Sequence, residues 1–119
     1  MIIIGDIMYL QLKNKKINII VADTFKTRLL GLMGKKNIDY GMLFPNCNSI
    51  HTFNMRENID ILGLNENNEV IYKYENLSKN RIIRINNPKK KTSVLELPNN
   101  TSKNIKINTI LLLKDEHEV

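Results

Sequence analysis

The feature that most constrains this chain is its rhythm. Short apolar, β-branched runs of five to ten residues recur along most of its length, most of them ended by a polar turn. "IMYLQLKN" (7–14) and "KINIIVA" (16–22) stand either side of the turn "KNKK" and read as a hairpin. "GMLFP" (41–45), "SIHTFNM" (49–55), "IDILGLN" (59–65), "EVIYKYE" (69–75), "RIIRI" (81–85), "TSVLEL" (92–97) and "NIKINTILLL" (104–113) follow as strand candidates. "NENN" (65–68) is a turn between two of them.

One segment breaks the rhythm. "DTFKTRLLGLMG" (23–34) places Phe25, Leu29, Leu32 and Met33 at helical spacing. Asp23 or Thr24 can cap its first turn, and Gly34 is a natural stop. The spacing predicts one short helix over 24–33. The expected fold is therefore mainly β with one short helix (α+β), a compact single domain shaped as a small barrel or sandwich. At 119 residues the chain is one domain, and the charged end 114–119 reads as a frayed tail.

Composition narrows the function classes. A single cysteine, Cys47, excludes an intramolecular disulfide framework. With only two histidines besides, the chain lacks a usual zinc set, so no metal and no cofactor is expected. Apolar runs far shorter than about 20 residues predict no membrane span. No leader is visible before Gly5 and Asp6, which points to the cytoplasm; an envelope-associated protein trimmed of its leader would read the same. The net charge is +6, yet the 18 Asn, 18 Ile and 14 Lys also follow from a low-GC genome. One basic stretch, 79–91, concentrates Lys79, Arg81, Arg84, Lys89, Lys90 and Lys91. It holds no aromatic residue for base stacking, so nucleic acid is the less favoured partner.

Three segments in register resemble a known family. "ADTFKTRLLGLM" (22–33) fits A-x-T-x3-R-x2-G-L-M. "GMLFPNCNSIHTFNMRENIDIL" (41–62) carries G-M-L-F, then H-T-F-x-M-R and an I-D pair. "SVLELPNNTSKNIKI" (93–107) carries V-L-E-L-P. Together they are similar to domain of unknown function family 192, small bacterial and archaeal proteins, over about residues 17–113. The resemblance implies a compact β-rich domain with one helix and brings no established activity. The chain departs from the pattern at Glu57 and Asn58, and it lacks the glycines usual around V-L-E-L-P.

The polar residues inside these runs are the site candidates: Arg28, His51, Thr52, Arg56 and Asp60. If 49–55 is one strand, His51, Phe53 and Met55 share a face, with Thr52, Asn54 and Arg56 opposite. His51 then stands at the core edge, either as a structural donor or at the mouth of a pocket. Arg28 and Asp60 could form a charge-assisted pair that pins the helix to the sheet, or Arg28 and Arg56 could hold a bound anion. Cys47 and His51 lie about 13 Å apart along an extended strand, too far for a nucleophile and its base. The leading expectation is a binding or accessory module with a shallow site for a small polar or anionic ligand. The alternatives are an enzyme using His51 as acid or base, a protein-interaction module, and nucleic-acid binding through 79–91.

Overall fold

The computed structural model describes residues 7–22, 34–85 and 91–115. These form nine strands: β1 (Ile7–Gln11), β2 (Lys16–Val21), β3 (Gly41–Phe44), β4 (Ser49–His51), β5 (Ile59–Leu64), β6 (Val70–Leu77), β7 (Ile82–Arg84), β8 (Ser93–Pro98) and β9 (Leu112–Asp115). Seven make one sheet in the order β6-β5-β8-β3-β2-β1-β9, while β4 and β7 pair separately. The pairs are antiparallel except β2 with β3. The predicted helix 24–33 lies outside the described residues, among which there is no helix.

The strand pairing does not describe a closed barrel. The large sheet is open between β6 and β9. One tie spans that gap. Residues 108–111 hydrogen-bond to Asn68 and Val70 at the start of β6, and the chain then runs into β9, which pairs with β1. The bridge Glu69–Ile110 belongs to the same contact.

Alternation sorts the side chains into two clusters, one on each face of the sheet. One holds Leu10, Ile17, Ile19, Leu62, Leu64, Val70, Leu95 and Leu97, with Ile105 and Leu111 packed in. The other holds Met42, Phe44, Ile59, Ile61 and Val94, covered by Met55, Ile83 and Ile85. The small β4–β7 sheet thus lies over the second face and buries Ile83 from β7.

Two expected strands are shorter than the sequence suggests. "SIHTFNM" leaves the strand at His51, where Asn54 (φ 60°) turns the chain soon after. Phe53 is accordingly exposed and not core, and His51 is exposed rather than at a core edge. "NIKINTILLL" contributes only its last residues to β9; Asn108 (φ 75°) bends the chain and breaks the alternation.

Candidate functional site

The candidate site is built where the chain leaves β4. Thr52 is fully buried, and its polar atoms join two loops. Its hydroxyl donates to the carbonyl of Ser78 at 2.8 Å and accepts from the N–H of Arg81 at 2.8 Å. Its backbone N–H donates to the carbonyl of Arg81 at 2.9 Å, and its carbonyl accepts from Asn80 at 3.1 Å. A β-branched hydroxyl suits this place because one side chain both donates and accepts while its methyl stays buried. The segment 78–81 is held against 52–58 as a result.

Three further hydrogen bonds complete a cleft. Asn58 donates its side-chain amide to Asn76 Oδ1 at 2.9 Å, joining the same two segments farther along. The segment 34–38 forms a third wall: Gly34 N–H donates to Asn54 O at 3.1 Å, and Ile38 N–H donates to Glu57 Oε1 at 3.0 Å. The cleft between these walls has a volume of about 560 Å³ and is lined by Lys36, Met55, Arg56, Glu57, Asn58, Ser78 and Lys79. Three cationic residues and one carboxylate line it, and that carboxylate, Glu57, accepts a backbone N–H.

The sequence-predicted residues divide between places. Thr52 and Arg56 belong to this cleft, Thr52 as its joint and Arg56 as an exposed wall residue. His51 faces outward, its ring stacked on Phe53 with centroids 4.9 Å apart. Asp60 is fully buried and alternates with Ile59 and Ile61, so it points to the opposite face of the sheet. There its Oδ1 accepts from Asn76 N–H, and its Oδ2 accepts from both the N–H and the hydroxyl of Ser102. Arg28 lies outside the described residues. Cys47 donates its thiol to Ser49 O at 3.0 Å.

Sequence reasoning passed over Glu96. It stands in the middle of β8 between Met42 and Ile61, 3% exposed. Burial pushes its carboxyl up to about 8. Burial also raises the Tyr40 hydroxyl, helped by the charges of Asp39 and Glu96. The available signal was a carboxylate inside the apolar run V-L-E-L-P. Lys36, Ser78 and Lys79 were missed as lining residues because nothing in the linear sequence brings 36, 56 and 79 together.

Among the described residues no three His, Cys, Asp or Glu side chains gather as a metal site, and no helix is long and apolar enough to cross a membrane. Comparison with curated proteins finds no match. Two solved structures share the fold. One, a protein of unknown function from Novosphingobium aromaticivorans DSM 12444, is 16% identical with a TM-score of 0.71, covering 91% of this chain and 83% of its own. The other, from Sinorhizobium meliloti 1021 and described as a candidate transcription regulator, is 19% identical with a TM-score of 0.72, covering 97% of each chain. The sequence profile of DUF192, an uncharacterized ACR family, matches residues 8–109. With nearly the whole β framework inside that match, the chain belongs to the DUF192 family.

Proposed function

We propose that the protein is a binding module for a small anion, held in the cleft between 34–38, 55–58 and 78–79. The observation that carries this reading is that Lys36, Arg56 and Lys79 all line one tethered cleft. Arg56 offers a planar fork of donors that matches a carboxylate or phosphate group, and the lysines add charge. Ser78 and Asn58 supply neutral hydrogen-bonding groups beside them. Thr52 is a positioning residue in this reading, since it fixes two of the walls. The backbone walls are tied together before a ligand arrives, so the ordering cost left to meet is that of the cationic side chains.

The test is a calorimetric titration with pyrophosphate at low salt. Wild type binds with heat released. Arg56→Met, which keeps the stem but removes the fork, weakens binding by about tenfold or more, equivalent to about 1.4 kcal/mol. An unchanged affinity in Arg56→Met, with pyrophosphate still bound, would place the anion elsewhere and end this reading.

A further inference from the structure

The β4–β7 sheet has an outer face that the small-anion cleft does not use. The register pairs His51 with Ile82 and Ser49 with Arg84. Ile50 and Ile83 turn toward the core, so those four side chains share the outer face. Phe53 folds back onto it. Its N–H donates to His51 Nδ1 at 3.3 Å, and the two rings lie 26° from parallel. Phe53 is 41% and Ile82 56% exposed, which makes a small flat apolar platform.

Cations border that platform. Arg81 immediately precedes β7, fixed through its backbone to Thr52, and Arg84 ends β7. Arg84 also lines a cleft with Asn48, Ser49 and Ile85, and Asn48 continues into a second cleft with Asn46, Cys47, Lys91 and Thr92. No carboxylate lines either cleft. The sequence has no acidic residue between Glu75 and Glu96. Strand pairing therefore supplies, from positions 51 and 53, the rings that the basic stretch 79–91 lacks in its own sequence.

We propose that this face binds single-stranded nucleic acid. One base stacks on Phe53, which is backed by His51, a neighbouring base rests on Ile82, and the phosphates track Arg81, Arg84 and Lys91. Flat rings beside cations that make no ion pair among the described residues are what a sequence-tolerant single-strand surface requires. A duplex keeps its base faces stacked and would leave the platform unused. A protein partner would need roughly 800 Å² of matched surface on each side, far more than two exposed apolar side chains provide.

The test is fluorescence anisotropy of labelled oligothymidylate and oligouridylate of about ten nucleotides, a length within the range of small single-strand sites. A duplex of equal length is titrated in parallel. The single strands bind more tightly than the duplex, and either sugar preference supports the assignment. With three phosphates engaged, the log–log salt slope is about −2, and Arg84→Gln makes it shallower by about 0.7. Phe53→Ala weakens binding roughly five- to hundredfold and leaves the melting temperature unchanged, because the ring is exposed. Equal affinity in wild type and Phe53→Ala, a duplex bound as tightly, or no binding at low salt would each overturn the proposal. So would a dimer in sedimentation that Ile82→Glu dissociates, since a second copy would then own this face.

Discussion

Ser102 gives both its backbone N–H and its hydroxyl to a single oxygen of Asp60, at 2.9 and 2.6 Å. The other oxygen takes the N–H of Asn76 at 2.9 Å. One buried carboxylate thereby ties β6 and the loop after β8 to β5. Asp60→Ala strands these donors inside the protein. It is expected to lower unfolding free energy by about 3 kcal/mol, and Ser102→Ala by about 1–2 kcal/mol, as read from urea melts. Equal stability of Asp60→Ala and wild type would show that the carboxylate is not a structural anchor.

Thr52 is the corresponding joint between the loop after β4 and the loop after β6. Thr52→Val keeps the shape but removes the group that serves Ser78 O and Arg81 N–H. The expected loss is about 1–3 kcal/mol. Thr52→Ser keeps both hydrogen bonds and should recover most of it. Pyrophosphate affinity should follow the same order, because the cleft walls meet at this residue.

Glu96 makes stability depend on pH in the direction opposite to a salt-bridged carboxylate. Its folded value of about 8 stands above the ordinary 4.5. Folding therefore takes up a proton between those two values. The contribution is complete below about pH 4.5 and is lost as pH rises through about 8. Within the window each pH unit removes about 1.4 kcal/mol at most. Denaturant midpoints should fall from pH 5 to pH 8, and Glu96→Gln should flatten that fall while stabilising the protein at the alkaline end. A wild-type midpoint that rises over this range would refute the assignment.

Gly41 and Gly63 both sit in crowded strands but should tolerate a methyl group unequally. A Cβ on Gly41 would stand 2.8 Å from the carbonyl oxygen of Glu96 and 2.6 Å from Ile19 Cδ1. A Cβ on Gly63 would meet chiefly the flexible end of Ile85, with Cδ1 at 2.5 Å. Side-chain ends can move aside, whereas a paired backbone cannot. Gly41→Ala is expected to cost about 2–3 kcal/mol and Gly63→Ala about 1 kcal/mol, measured by thermal or urea melts.

Most strands were legible because each buries one or both faces and so carries a clear apolar pattern. β5, buried throughout, and β8 are examples. The hairpins β1–β2 and β5–β6 followed from polar turns of short length. The parallel pairing of β2 with β3 and the pairing of β4 with β7 were not legible, since both depend on contacts distant in sequence. Phe53 was misplaced because alternation holds only while a strand lasts, and this one ends at His51. Arg56, a candidate from the sequence, lines the cleft with Lys36, Ser78 and Lys79, and no linear pattern joins positions 36, 56 and 79. The asparagine count fits a low-GC genome, yet it also has a structural use. Among the described residues all eight non-glycine positions with positive φ are asparagine, from Asn37 to Asn108. Asparagine tolerates that conformation better than other side chains, so it serves here, mostly in turns and once within β6, where glycine would be usual.

The last described strand pairs with the first: Met8 lies opposite Asp115 and Leu10 opposite Leu113. The ladder that finishes one side of the sheet therefore joins segments almost a full chain length apart. Loop closure of that size places the step late in folding, because β9 must have been synthesised and have left the ribosome before it can occur. Until then β1 presents an unpaired edge to its surroundings, and that interval is when the nascent protein is most exposed to wrong pairing with other chains.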